Sequence, residues 1–380
     1  MIQSYKIRIY PNKEQERIIW KHIGGCRYVY NWMLEYQQKV RSEGGKHLSY
    51  YDMNRMLKDL RNSDECRWLK DLSFGSLIAA CHDLDVAYKK FFSKQNRFPR
   101  YKSRKRSRKI YPARSDRFHF VDDRYLKVEK LGNIRYRSDF VFPTGVHEKF
   151  VNVRISNENG KWMISFGMEC ENQVFDLSDT PMGIDLGIKT LATVAYGDQI
   201  YKFENINKSE KMKKLHSKEA YYQRRMAHKL ECSKKKTGRY EGSSNYKKLK
   251  DKYAKVSRKQ SNIRENYIQQ ITKSLVDMLP CRVTMETLSV REMAKNKSVA
   301  KCVWNMKLNR FEVVMEYKCS MRGIEFVKAD KFYPSSKTCS CCGCIKYDLR
   351  LSDRVYECKD CGCVIDRDEN AALNLMRYKV

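Results

Sequence analysis

Apolar and polar positions alternate from the start of the chain. Tyr5, Ile7 and Ile9 interleave with Lys6, Arg8 and Tyr10, a period of two that predicts a strand with one face buried. Pro11 ends that strand, and Asn12 with Gln15 has the spacing of a capping box that opens a helix. The period then changes to that of a helix: Ile18, Ile19 and Ile23, followed by Val29, Trp32, Met33 and Tyr36, with Gly24-Gly25 read as a break between two stretches. Leu77, Ala80, Leu84, Ala87, Tyr88 and Phe91 repeat the pattern, so the helical region extends to about residue 95. The aromatic residues on these faces read as core.

Short alternating runs follow, "RFHFVDD", "YLKVEKLG", "NIRYRS", "FVNVRIS" and "KWMISFGME", separated by Gly, Asn and Asp turns. They predict a small antiparallel β-barrel that includes the N-terminal strand, the helices being inserted after it. "PMGIDLGIKTLATVAYGDQIYKF" is a second style of β structure, with a tight turn at Gly187 and Asp185 between Ile184 and Leu186. A basic helical stretch over 208–259 runs on through "SNIRENYIQQITKSLVDML" to the strand "CRVTMETL", which ends at Glu286. One amphipathic helix over 304–322 and the strand "IEFVKAD" complete a multidomain α+β chain.

Charge narrows the partners. The 380 residues, enough for two or three domains, carry a net charge of +32 and 25 tyrosines, a composition suited to polyphosphate. Residues 96–114 hold nine Lys or Arg and no acid, with Phe98, Tyr101 and Tyr111 interleaved. This tract reads as tracking a phosphate backbone, and Arg97, Arg100, Lys102, Arg104, Lys105 and Arg106 are the candidate contacts. Residues 208–259 hold nineteen Lys or Arg against five acids and read as one wall of a nucleic-acid groove. No apolar run approaches the roughly eighteen residues of a membrane span. The cysteines from Cys26 to Cys319 have no paired spacing and no apolar leader precedes them, so a reducing cytoplasm is expected.

Two Cys-x-x-Cys-Gly-Cys knuckles near the C-terminus make Cys339, Cys342, Cys358 and Cys361 equivalent in pairs, and four thiolates at this spacing suit one structural Zn²⁺. Cys341, Cys344 and Cys363 could substitute in principle. The symmetry of the knuckles argues against Cys341, and the short reach from Cys361 argues against Cys363. Three carboxylates remain: Asp185 after a strand, Glu286 ending another, and Asp368 opening the last helix. A βα sheet can bring such positions together, and three convergent carboxylates can hold two divalent cations for in-line attack on phosphorus, with Mg²⁺ fitting the hard oxygen donors. Each also has an ordinary reading, as turn former, surface acid or helix cap.

"GIDLGIKTLAT", "METLSV", "FYPSSKTCSCCG" and "CGCVIDRDENAALN", in this order, resemble the TnpB family of transposon-encoded RNA-guided nucleases, relatives of the compact type V CRISPR effectors. "YKIRIYPNKEQE", "CRYVYNWML", "LSYYDMN" and "RFPRYKSRKRSR" extend the likeness to nearly the whole chain. The resemblance implies a wedge barrel at 1–10 and 96–178, a helical recognition lobe at 11–95, and an RNase H-like (RuvC) nuclease domain at 179–334 and 366–380. It also implies a helical insertion at about 208–270 and a zinc ribbon at 335–365. Asp185, Glu286 and Asp368 match the family's catalytic positions. Asp368 is preferred to Asp366 because it precedes Asn370-Ala371-Ala372 at the family spacing. The implied partners are a guide RNA from the transposon end, on which one protein molecule sits, and double-stranded target DNA beside a short motif. Thr287, "ENYIQQ" and "SFGSLIAAC" depart from the family pattern, the last within the helices expected to read that motif. A binding-only repressor, an unguided zinc-ribbon protein and a guide-free resolvase are the competing classes.

Overall fold

A computed structural model describes residues 2–105, 107–145, 149–158, 160–170, 174–239, 242–350 and 353–379, which fall into two compact units, Met1–Glu171 and Asn172–Val380. Arg106, a candidate phosphate contact, lies outside the described residues.

The first unit opens with β1 (Ile2–Tyr10) and α1 (Lys13–Ser42). Asn12 and Gln15 form a reciprocal capping box, and the Gln15 amide also donates to Leu131 O at 2.9 Å and Asn133 O at 2.8 Å. One side chain thus starts the helix and fixes it to the sheet. The expected break at Gly24-Gly25 does not occur, because α1 runs unbroken for 30 residues. A Cβ on Gly25 would stand 2.1 Å from Leu72 Cδ1, so this glycine provides close approach between segments rather than a stop. After α2 (Tyr50–Asn62) and α3 (Phe74–Phe92) come β2 (Ile110–Pro112), β3 (His119–Phe120), β4 (Tyr125–Val128), β5 (Gly132–Arg137), β6 (Phe150–Glu158) and β7 (Lys161–Glu169).

Among the described residues β1 to β7 form one antiparallel sheet in the order β2-β6-β7-β1-β5-β4-β3. Phe120, on the edge strand β3, lies 5.6 Å from Phe150 of β6 and 5.5 Å from Phe166 of β7, ring centre to ring centre. Strands far apart in the order therefore share one aromatic core, and the sheet is curled. A separate core formed by Val29, Met33, Leu57, Leu69, Leu77 and Leu84 holds the inserted helices together.

The second unit is built on β8 (Met182–Leu186), β9 (Thr190–Tyr196), β10 (Gln199–Glu204), β11 (Arg282–Met285) and β12 (Glu325–Lys328), ordered β10-β9-β8-β11-β12. The β8–β9 and β9–β10 pairs are antiparallel; β8–β11 and β11–β12 are parallel. Between β10 and β11 run α4 (Glu210–Thr237) and α5 (Ser244–Val276), the second continuing from the basic stretch into the core through Ile268, Ile271 and Leu275. Next come α6 (Val290–Met293), α7 (Lys297–Met306) and α8 (Leu308–Arg322). The single helix expected over 304–322 is broken at Lys307, at φ 55° and ψ 40°, whose ammonium reaches Ser261 Oγ at 3.2 Å and Glu265 at 3.4 Å on α5.

Strands β13 (Val355–Glu357) and β14 (Val364–Asp366) pair beside the cysteine knuckles, and α9 (Arg367–Met376) follows directly. Alternation along β8 and β9 turns Ile184 and Val194 to the α5–α8 core and Gly183 and Ala195 to α9. A Cβ on Gly183 would meet Ala372 O at 2.1 Å, so α9 lies directly on the backbone of β8. Among the described residues no helix is long and apolar enough to cross a membrane.

Candidate active site and metal centre

Register brings the first two carboxylates together. Strands β8 and β11 pair through Met182–Val283, Gly183–Thr284 and Ile184–Met285, and Asp185 and Glu286 are the next residues along the two chains. Asp185 shares the face of Gly183, where α9 lies, and Asp368 sits in the first turn of α9. All three side chains are half-buried. Their oxygens do not all fall within 4.8 Å of one another, so the group is convergent without being close-packed.

Burial pushes the Asp185 carboxyl up to about 8, and the charges of Glu286 and Asp368 push the same way against Arg367. Burial also raises Glu286, again opposed by Arg367. The Arg367 guanidinium lies 3.3 Å from Asp368 Oδ1, and that of Arg354 lies 4.0 Å from its other oxygen. A partly buried group of three hard oxygen donors whose charges repel one another is suited to Mg²⁺.

Asp366 has a different task. Its Oδ1 accepts from the backbone N–H groups of Asp368 at 2.9 Å and Glu369 at 3.2 Å, so Asp366 is the cap of α9 and Asp368 is not. Lys202 ties the cap down, 3.5 Å from Asp366 and 2.7 Å from Glu369. Thr287 donates to Ala329 O at 2.6 Å and fastens the end of β11 to the chain beyond β12.

The thiols of Cys339, Cys342, Cys358 and Cys361 all lie within 4.8 Å of one another, with Cys339 3.6 Å from Cys361 and Cys342 3.5 Å from Cys358. Sulfurs bound at 2.3 Å to a tetrahedral zinc stand about 3.8 Å apart, so this cluster fits a zinc ribbon. Burial opposes ionisation of Cys339, but the N–H groups of Cys342 and Cys341 and the thiols of Cys361 and Cys342 bring it down to about 6. Cys339 with Cys341 and Cys363 makes a second, overlapping group.

Two residues with no role expected from the sequence pattern join these centres. Asn370 is fully buried in α9; its Oδ1 accepts from Ser340 N at 2.8 Å and its Nδ2 donates to Thr338 O at 2.7 Å. Asn374, one turn on, donates to Ser335 O at 2.8 Å and Thr338 O at 2.6 Å. The helix that carries Asp368 is thus pinned to the loop that carries Cys339. Asparagine repeated at i and i+4 inside a helix, where it is a poor former, was the available signal.

Arg97, Arg100, Arg104 and Lys105 are exposed on an irregular segment. Lys102 differs: its ammonium lies 3.8 Å over the Tyr30 ring and 3.4 Å from Asp83, and its backbone is held at both N–H and C=O by Asn31. It secures the tract to the helices.

Residues 1–46 match a family model described as a helix-turn-helix domain, 176–297 one described as "Probable transposase", and 309–375 one described as the Cas12f1-like TNB domain. In the described part of the first match, one strand and one unbroken helix stand before residue 43. The chain is 30% identical over 398 residues to the "Putative RNA-guided DNA endonuclease InsQ" of Escherichia coli K12, covering 99% of this chain and 92% of that protein. It is 29% identical over 376 residues to a protein named "Putative RNA-guided DNA endonuclease" in Streptomyces pristinaespiralis, covering 98% and 88%. A solved structure titled as a Cas12f1–sgRNA–target DNA complex shares the fold, with TM-score 0.61 at 13% identity over 99% of this chain and 98% of that one.

Proposed function

The chain belongs to the TnpB family, and from that membership we propose that it is an RNA-guided endonuclease that hydrolyses DNA beside a short motif, using Asp185, Glu286 and Asp368. The observation that carries this reading is the convergence of two strand ends and a helix start on one face of a mixed sheet, with the Asp185 carboxyl pushed up to about 8 by burial and by its two neighbours. Three antiparallel strands continued by two parallel ones is the arrangement expected of an RNase H-like (RuvC) domain, which supports assigning it to 179–334 and 366–380. The curled sheet supports the wedge-barrel assignment at 1–10 and 96–178, the inserted helices at 11–95 the recognition lobe, and the cysteine cluster a zinc ribbon at 335–365.

Asp185, Glu286 and Asp368 would hold Mg²⁺, which supplies activation of the attacking water and stabilisation of the leaving 3′ oxygen. What the chain does is assemble and orient those carboxylates. The β8–β11 register fixes Asp185 against Glu286, Gly183 lets α9 lie close enough to add Asp368, and Asp366 caps α9 so that the Asp368 side chain is free of that task. Arg367 offsets the mutual repulsion. Asn370 and Asn374 hold the helix in place through the ribbon. The exposed Arg97, Arg100, Arg104 and Lys105 and the basic α4–α5 hairpin would follow the phosphates of a guide RNA from the transposon end and of its DNA target, sequence being read by base pairing.

Sequencing the RNA that co-purifies with the full chain tests the guided reading. We expect one discrete species with a constant end encoded next to the gene and a variable end. A mixture with no shared end would favour an unguided nuclease.

A further inference from the structure

Cys341 and Cys363 stand outside the four-thiol set but against it. Their sulfurs are 3.0 Å apart, Cys341 exposed and Cys363 half-buried. They come from opposite knuckles, each turned at a glycine with positive φ, 82° at Gly343 and 70° at Gly362. Each knuckle is closed by the same backbone bond, Cys339 N to Cys344 O and Cys358 N to Cys363 O, both 2.8 Å. The remaining gap to a disulfide of about 2.05 Å is about 1 Å, a movement two exposed turns can supply.

We propose that Cys341 and Cys363 are an oxidisable dithiol that takes the first oxidising equivalent reaching the ribbon and closes a bridge between the knuckles, leaving Cys339, Cys342, Cys358 and Cys361 reduced. The sparing of those four rests on their reading as the metal ligands. With a hydroperoxide as oxidant, the exposed Cys341 thiol attacks the terminal oxygen, the O–O bond breaks, and Cys341 becomes a sulfenic acid as the thiol proton joins the departing oxygen, which leaves as the alcohol, or as water from hydrogen peroxide. The Cys363 thiol then attacks that sulfur, and its proton passes to the departing hydroxide, which leaves as water. Two thiols lose two electrons and two protons, and one peroxide is reduced. A resolving thiol already 3.0 Å away captures the sulfenic acid before further oxidation and before a ligand thiol can do so. The bridge joins the chain at 341 to the residue immediately before β14, so the knuckles stay together under oxidising conditions.

The test uses the full zinc-loaded chain. One equivalent of hydrogen peroxide is added, free thiols are blocked with N-ethylmaleimide, disulfides are mapped by peptide mass spectrometry, and released zinc is followed with a chelating dye. We expect the 341–363 bridge to dominate with zinc retained. Cys341→Ser and Cys363→Ser should release zinc at several-fold lower peroxide, while Cys344→Ser behaves as the parent. A first bridge that includes Cys339, Cys342, Cys358 or Cys361, or zinc leaving with the first equivalent, overturns the proposal. Zinc content before oxidation separates the two readings. Loss in Cys339→Ser and Cys361→Ser but not in Cys341→Ser supports both; loss in Cys341→Ser moves the metal to the Cys339, Cys341 and Cys363 set and overturns the free dithiol. A zinc-free chain that still closes 341–363 keeps the dithiol and removes only the metal reading.

Discussion

Asp185 carries an energetic cost of its own making. Its carboxyl ordinarily titrates near 3.8, and burial with the charges of Glu286, Asp368 and Asp366 moves it up to about 8 in the fold. Between those values the folded chain holds a proton that the unfolded chain has released, so stability falls as pH rises through this window when no divalent cation is present. Asp185→Asn removes the ionisation. Without added Mg²⁺ the variant should unfold several degrees above the parent at pH 8, by an amount that shrinks steadily toward pH 4; about 1 kcal/mol moves the midpoint of a unit this size by roughly 2–4 °C. Adding Mg²⁺ at pH 8 should raise the parent and not the variant. A pH-independent offset in thermal unfolding would mean the carboxyl is not perturbed. The apolar flanks of Asp185 made its partial burial legible in the sequence. The ties made by Asn370 and Asn374 were not, because their partners at Ser335, Thr338 and Ser340 lie in an irregular loop that no periodicity places. Lys102 is a different case: among so many cations, only contact with Tyr30 and Asp83 distinguishes it from its neighbours.

At the scale of elements, periodicity located strands and helices well and their interruptions poorly. The alternation at Tyr5, Ile7 and Ile9 is the alternation of β1 in its sheet, and the Asn12–Gln15 spacing is the capping box observed. Glycine inside a helix, however, looks the same from sequence whether it stops the helix or admits a neighbour. Gly24 and Gly25 differ only in what surrounds them. A Cβ on Gly24 meets nothing within 4 Å, whereas on Gly25 it meets Leu72 Cδ1 at 2.1 Å. Gly24→Ala should therefore stabilise the first unit by roughly 0.5–1 kcal/mol through helix propensity, and Gly25→Ala should destabilise it by about 1–3 kcal/mol through overpacking. Urea titration of both variants checks this, and equal shifts in one direction would contradict the packing role. The break at Lys307 was equally hidden, since the side chain that holds it reaches α5, some forty residues earlier in the chain.

For the whole molecule, charge and motif order were legible because they need no geometry: the basic tracts, the paired knuckles and the three carboxylates are visible as residue types at a spacing. What geometry adds is selection among near neighbours. Asp366 and Asp368 stand two residues apart, and to the spacing that prefers Asp368 the cap bonds add a structural task for Asp366. The central claim is that Asp185, Glu286 and Asp368 perform cleavage while other surfaces bind guide and target. It is tested most directly by assaying cleavage and gel shift on the same purified guide complexes of the parent, Asp185→Ala, Glu286→Gln, Asp368→Ala and Asp366→Ala. The account predicts that the first three variants lose Mg²⁺-dependent cutting by at least a hundredfold, about 2.7 kcal/mol at the barrier, and keep target binding, and that Asp366→Ala cuts measurably. Robust cutting by Asp185→Ala, or loss of cutting in Asp366→Ala with Asp368→Ala active, would contradict it.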